Sequence, residues 1–369
     1  MARGRQSKSG SPSYFILVLV FVLTIVGLVA LASASFELGK MQFNDSYYYL
    51  KHQIIYGLLL GIIGFIFTSR FPYYKYKKFA IWFFFASIIL LLLVFTPLGL
   101  KIGGARRWVG IHSFSFQPAE IVKLTFIIYL AAWFSSLKTE QLKSFIKTLL
   151  PFLIICAIIA GLLALEPTTS SIVIIIGAAF IMFFFFGVPW KYVILTLLVA
   201  FIGFALLIYL TPYRFSRILT FLHPSENSLT TSYQINQSLI NIGSGGLTGL
   251  GYGKSAMKIW LPASLNDSIF SIVASELGFV GASVIITLFF ILVLAIFYLA
   301  FKSEDKFARL LLVGFGSEIF IQSFMNIASV SGLIPLTGVA LPFISYGGTG
   351  LMVFLTMSGI IINISKSNG

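Results

Sequence analysis

The sequence predicts an all-α polytopic membrane protein with ten transmembrane helices, both termini cytoplasmic, and a large extracytoplasmic loop between helices 7 and 8. Three observations lead there. Hydrophobic residues make up 58% of the 369 and charged residues only 10%, with a mean hydropathy of +1.00, which is too apolar for a soluble domain. Several apolar runs reach the ~20 residues needed to cross a bilayer. These runs are continuous rather than alternating, and backbone groups in lipid must be satisfied within the element, so helices are expected and not a barrel. No low-complexity linker or internal repeat divides the chain, so residues 1–369 read as one domain.

Spans are expected at 13–34, 52–69, 79–97, 117–136, 149–165, 170–187, 191–211, 268–300, 309–332 and 342–364. Basic residues precede the first span and Ala-Ser-Ala-Ser follows it, as in a signal peptide. Its apolar core is longer than a usual signal core, so an uncleaved span is expected. Orientation follows from the basic residues. A cytoplasmic N-terminus places Arg3, Arg5 and Lys8, the 70–78 and 138–147 segments, Lys302, Lys306, Arg309 and Lys366 inside. Lys40, Lys51, Lys101, Arg106, Arg107, Arg214, Arg217, Lys254 and Lys258 then fall outside, where the rule does not explain them.

Span 4 opens at Pro118, which suits a first helical turn. Its Glu120 and Lys123 lie three residues apart on nearly one face and can neutralise each other. The segment Ser136–Lys147 sets Leu137, Leu142, Phe145 and Ile146 among lysines and reads as a short amphipathic interfacial helix. Glu166, before Pro167, either caps span 6 or faces a cavity. Residues 213–267 form the large loop, polar and Gly-rich in a chain that elsewhere avoids polarity. It ends at Asp267, with Ser271 and Ser275 on the same face of the helix that follows. An aspartate there can be a simple cap. Glu276 is half a turn out of phase with it, so the two do not make a glycosidase-type pair. In span 9, Gly314, Glu318, Gln322 and Asn326 form a polar stripe, explained by interhelical hydrogen bonds or by a substrate groove.

Several chemistries are excluded. The +14 net charge is membrane topology rather than a nucleic-acid footprint, and the inner cations contact anionic membrane lipids. Cys156 is the one cysteine, so no internal disulfide forms. His52, His112 and His223 are scattered, with no metal-ligand spacing. The run 243–255 ends in Gly-Lys-Ser, but Thr248 stands where a phosphate-binding loop needs glycine, so no nucleotide site is expected. A Gly-rich turn admitting a ligand to its N–H groups stays open. What remains is a cationic cluster with one carboxylate at the outer bilayer face. Guanidinium and ammonium groups bind diphosphate well, so an anionic, lipid-borne substrate is indicated.

At these residues the chain resembles the SEDS family (shape, elongation, division and sporulation). The resemblance rests on Gly-Ala-Arg-Arg-Trp at 104–108, Phe-Gln-Pro-Ala-Glu-Ile-Val-Lys-Leu at 116–124, and the Tyr233–Gly246 block. It also rests on Lys258 to Gly278 and, most distinctively, on Pro335 to Thr349. The first and third blocks look closer to the FtsW branch than to the RodA branch. The resemblance implies a glycosyltransferase that polymerises lipid II into β-1,4 glycan at the outer face of the bacterial cytoplasmic membrane. Transfer would be inverting, from an undecaprenyl diphosphate donor. Asp267 is the implied catalytic residue, as general base or ligand of a divalent cation, Mg2+ or Mn2+. Arg106, Arg107, Arg214, Arg217 and Lys258 would hold the diphosphate, with Glu120, Lys123 and Gln237 also binding substrate. The implied partners are a class B penicillin-binding protein and membrane proteins of the divisome or elongasome. Two rivals stand beside this: a lipid II flippase with Glu120, Lys123, Glu318 and Gln322 along its path, and a non-catalytic scaffold activating the transpeptidase. The chain departs from the family at Glu-Pro-Thr-Thr-Ser-Ser (166–171), where an acidic or amide residue usually follows the proline, and at Leu265, Asn266 and Ser268.

Overall fold

The structure, a computed structural model, describes residues 11–102, 105–111, 114–166, 168–222, 231–255 and 265–367. The chain begins with three apolar helices, α1 (Ser11–Phe43), α2 (Tyr48–Arg70) and α3 (Tyr73–Leu93). A small antiparallel sheet follows: β1 (Gly99–Ile102), β2 (Ala105–Ile111) and β3 (Phe114–Phe116). Then come α4 (Pro118–Ser136), α5 (Phe145–Leu165), α6 (Thr169–Phe185) and α7 (Trp190–Tyr209). The large loop contributes α8 (Pro212–Leu222) and α9 (Thr231–Ser244). The last three are α10 (Ile269–Lys302), α11 (Lys306–Val330) and α12 (Gly348–Ser367).

Among the described residues, nine of these helices are long and apolar enough to cross a membrane, and α6, at 17 residues, is a tenth apolar helix. The ten expected spans are therefore present. The boundaries that differ most are the end of α1, at Phe43 rather than 34, both ends of α3, at Tyr73 and Leu93 rather than 79 and 97, and the start of α12, at Gly348 rather than 342. Residues 342–347 have the composition of a span start but turn instead, with Phe343 at φ 63°. The expected interfacial helix at 136–147 is a 3-10 turn at Thr139–Lys143 that leads into α5, where Ser144 Oγ accepts the Lys147 N–H at 3.3 Å.

Burial separates centre from rim. Of each apolar stretch, 78% is buried in α11, 72% in α12 and 61% in α4, against 17% in α2 and α7. The central helices are also those carrying polar side chains, because only there can such groups find partners away from lipid. Gly314 is the packing member of the α11 stripe: a Cβ there would lie 2.6 Å from Ile127 and 2.7 Å from Met182.

The Gly-rich run meets its ligand inside the protein. Gly278, at φ 69°, breaks α10 and orphans main-chain groups on both sides of the break. The 246–251 segment supplies their partners: Phe279 and Val280 donate to Gly246 and Leu247 at 2.9 and 3.2 Å, while Ser275 and Glu276 accept from Leu250 and Gly251 at 3.0 Å each. A Cβ at Gly249 would sit 2.1 Å from the Glu276 carbonyl oxygen. Glycine is required because backbone packs directly on backbone.

Candidate functional site

The site is built around the non-helical segment 331–347. Irregular backbone at membrane depth survives only where it is buried in protein or lines a cavity. Here side chains satisfy it. Asn326 Nδ2 donates to Val339 O at 2.6 Å, and Gln322 Nε2 to Ala340 O at 2.8 Å. Gln53, in α2, donates to Ser345 O at 3.3 Å and accepts the Gly347 N–H at 3.0 Å. Arg217 donates to Leu336 O at 2.9 Å, and Ser170 Oγ donates to Thr337 O. Thus two members of the predicted stripe are hydrogen-bonding residues, and the partner is this segment.

A cavity of about 760 Å³ opens against that segment. Its wall includes Arg107 and Trp108 of β2, Glu120 and Lys123 of α4, Arg214 and Arg217 of α8, Gln322 of α11 and Asn266. Lys123 Nζ lies 2.6 Å from Glu120 Oε1 and 2.6 Å from Gln322 Oε1, so the predicted pair forms and is extended by the stripe. Strand alternation sends Arg106 and Arg107 to opposite faces of β2. Arg107 reaches the cavity wall, whereas Arg106 is exposed and is not part of it. Arg214 is buried, donating to Thr211 Oγ1 at 3.1 Å and to Ala164 O at 3.2 Å. Lys258 lies outside the described residues.

Asp267 precedes α10, whose N-cap is Ser268 without a side-chain cap bond, so the simple cap reading fails. Its Oδ2 accepts from Gln234 Nε2 at 3.4 Å, while its Oδ1 is buried with no hydrogen-bond partner among the described residues. Burial raises the Asp267 carboxyl above the usual carboxylate range; its own main chain, Gln234 and the Arg217 charge act the other way. Gly338, at φ +67°, approaches closely, and a Cβ there would be 3.6 Å from Oδ2. Gln237, one turn after Gln234 on α9, has a buried Oε1 without a partner among the described residues, and it is not in the cavity wall. Glu276 is buried and accepts from Ser33 Oγ at 2.5 Å, apart from Asp267 as expected.

Sequence reasoning missed Gln234 as the partner of Asp267. The available signal was its spacing, i and i+3 with Gln237 in an amphipathic stretch. It also left Glu166 undecided. Glu166 is buried, does not cap α6, and lies in the field of Arg107.

For a divalent cation, no group of three His, Cys, Asp or Glu gathers among the described residues. The unpartnered Oδ1 of Asp267 is one hard oxygen ligand, which fits an ion held by one carboxylate together with substrate phosphates rather than by a protein cage.

The sequence model of the FtsW/RodA/SpoVE family, described as a cell cycle protein, matches residues 13–369. A probable peptidoglycan glycosyltransferase FtsW of Geobacter sp. (strain M18) is 34% identical over 352 residues, covering 95% of each chain. Stage V sporulation protein E of Bacillus subtilis (strain 168) is 33% identical over 362 residues, covering 98% of each. Among solved structures, a chain from a peptidoglycan synthase complex matches at TM-score 0.80 and 25% identity, covering 96% of this chain and 98% of that one. The rod shape determining protein RodA of Thermus thermophilus matches in fold at TM-score 0.71 and 24% identity, covering 99% of each.

Proposed function

The chain belongs to the FtsW/RodA/SpoVE family of cell cycle proteins, and we propose that it is a peptidoglycan glycosyltransferase. It polymerises lipid II at the outer face of the bacterial cytoplasmic membrane, with a class B penicillin-binding protein as the crosslinking partner. What carries this reading is one relationship: a half-buried aspartate with an unsatisfied, buried Oδ1 lies in the field of Arg217. It is not itself in the cavity wall but adjoins Asn266 and Gly338, which are, and that wall holds further guanidinium groups.

In the reaction the acceptor sugar hydroxyl attacks C1 of the donor. The bond from C1 to the diphosphate oxygen breaks, and its electron pair leaves with the diphosphate. Asp267 takes the proton from the attacking hydroxyl, and burial makes it a stronger base than an exposed aspartate. Arg107, Arg214 and Arg217 face the charge that grows on the leaving group. Lys123, held by Glu120 and Gln322, is positioned to bind substrate from the same wall. A divalent cation would be held by Asp267 and would lower the pKa of the hydroxyl while neutralising diphosphate charge.

The test is polymerisation of lipid II by the purified chain. Asp267→Asn should stay folded and lose polymer formation; near-wild-type activity would sink the assignment. Polymer made by the chain alone also separates the enzyme from a flippase and from a scaffold.

A further inference from the structure

The segment 336–347 runs the length of the site, and its anchors give the order of the groups along it. Arg217 donates to Leu336 O at 2.9 Å and Ser170 Oγ donates to Thr337 O, which marks the cationic end. Gly338 comes next, over Asp267. Asn326 and Gln322 then hold Val339 and Ala340. At the far end Gln53 bonds Ser345 and Gly347, and the Tyr346 N–H donates to Leu265 O at 2.9 Å.

This far end is aromatic. His52 and Tyr56 are four residues apart on one face of α2, with ring centres 4.5 Å apart. The Tyr346 hydroxyl and His52 Nδ1 share a hydrogen bond of 3.0 Å. All three residues belong to the cavity wall, as does Gln117, and all four are half-buried. From Tyr346 the rings continue outward, with Tyr49 at 5.4 Å and the exposed Tyr48 5.6 Å beyond it. Within residues 41–56 the formal charges are Asp45 and Lys51, and these pair at 2.7 Å. One end of the cavity is therefore cationic, and the other is neutral, with ring faces edged by hydroxyl, imidazole and amide groups. A pyranose matches the second end: its C–H groups pack on an aromatic face while its hydroxyls reach the polar edges. A hydrocarbon tail would strip water from those edges without replacing its hydrogen bonds. An aromatic belt against lipid offers no rival account, because His52, Tyr56 and Tyr346 line an internal cavity.

We propose that Tyr56 and Tyr346, with His52 fixing the Tyr346 hydroxyl, form the seat of the acceptor sugar. The proposal rests on the glycosyltransferase reading, and it divides the one cavity into a diphosphate end and a sugar end. An inverting displacement brings the attacking hydroxyl to the face of C1 opposite the departing diphosphate. The guanidinium of Arg217 stands at one end of the 336–347 segment, the rings stand at the other, and Asp267 lies between. With the donor's diphosphate at the cationic end, the sugar whose hydroxyl Asp267 deprotonates lies on the aromatic side.

The experiment measures two dissociation constants on the purified chain, one for undecaprenyl diphosphate and one for the free disaccharide N-acetylglucosaminyl-β-1,4-N-acetylmuramic acid. Tyr56→Leu keeps apolar bulk and removes the ring, so it should weaken the disaccharide about tenfold and leave undecaprenyl diphosphate within about twofold. Tyr56→Phe keeps the ring and should stay close to the wild type. His52→Ala should lose several-fold for the disaccharide, and His52→Asn, which keeps a bonding atom near the Nδ1 position, should recover most of it. The disaccharide should also bind undiminished when undecaprenyl diphosphate is saturating, since the two ends are separate. Mutual exclusion would put the sugar in the donor's own place and overturn the acceptor assignment. A wild type that does not bind the disaccharide overturns the proposal, as does a Tyr56→Leu protein that binds it normally. Loss of undecaprenyl diphosphate in Tyr56→Leu with the disaccharide unchanged would give the rings to the lipid tail, and parallel loss of both would make Tyr56 structural; either result also overturns it. Polymer formed by a wild type indifferent to the disaccharide sinks this proposal alone. Disaccharide held by the rings without polymer sinks the glycosyltransferase reading alone.

Discussion

Asn326 donates its Nδ2 to the main-chain carbonyl of Asp267 at 2.8 Å, and to that of Val339 at 2.6 Å. One amide in α11 thus ties the candidate base to the segment that forms the opposite side of the site. The segment has no helix or sheet ladder of its own, so this tie sets the position of Gly338 over Asp267.

Replacing Asn326 with Ala leaves two buried carbonyls without that donor, each costing about 1–3 kcal/mol. We expect a clear drop in unfolding temperature and a larger loss of polymerisation than of lipid II binding. Wild-type turnover in Asn326→Ala would show that the base is positioned by other contacts.

The break in α10 makes a sharper prediction about stability. Gly249 and Gly253 both have positive φ, at +84° and +79°. A side chain at Gly253 meets nothing within 4 Å, so Gly253→Ala should cost only the left-handed backbone penalty, about 1–2 kcal/mol. At Gly249 the added carbon strikes main chain, and the docked loop must move. Thermal unfolding should rank Gly249→Ala well below Gly253→Ala; equal values would mean that the docking is not rigid.

Much of this fold was legible because lipid imposes a simple rule on backbone groups, and the ten apolar runs answer to it directly. The three strands at 99–116 were not legible. They are short, and their alternation is hidden among apolar residues that also suit a helix end. The loop at 213–267 was marked by its polarity, but not its docking onto α10, since contacts between Gly249 and Glu276 leave no periodic trace. Asp267 stood out as a solitary carboxylate. Arg106 could not be told from Arg107 until the strand existed, because only alternation separates adjacent residues.

Lys123 tests the buried network. Its ammonium is almost fully buried, bonds Glu120 and Gln322, and acts on Glu318, whose oxygens have no hydrogen-bond partners among the described residues. Lys123→Met should destabilise by about 3–5 kcal/mol, because it strands buried carboxylates rather than deleting a surface pair. Adding Glu120→Gln should recover part of the loss, and Glu318→Gln more, without restoring polymerisation. A Lys123→Met protein as stable as the wild type would show that the carboxylates are neutral without it.

The pH dependence of turnover bears on Asp267 itself. A general base must be ionised, so activity should fall as pH drops through its pKa in the enzyme. Burial places that pKa above the usual aspartate value, so the acid limb should lie at higher pH than an exposed carboxylate would give. Gln234 donates to the charged form and therefore lowers the pKa. Gln234→Leu removes that donor and leaves the burial, so the acid limb should shift to still higher pH, with the plateau rate less affected than the rate at low pH. The limb in Asp267→Asn should be absent, along with activity. If Gln234→Leu lowers the rate equally at every pH, Gln234 holds substrate or shape instead of tuning the carboxylate. The direction of the shift separates the two roles, because a lost structural contact has no reason to track the protonation of Asp267.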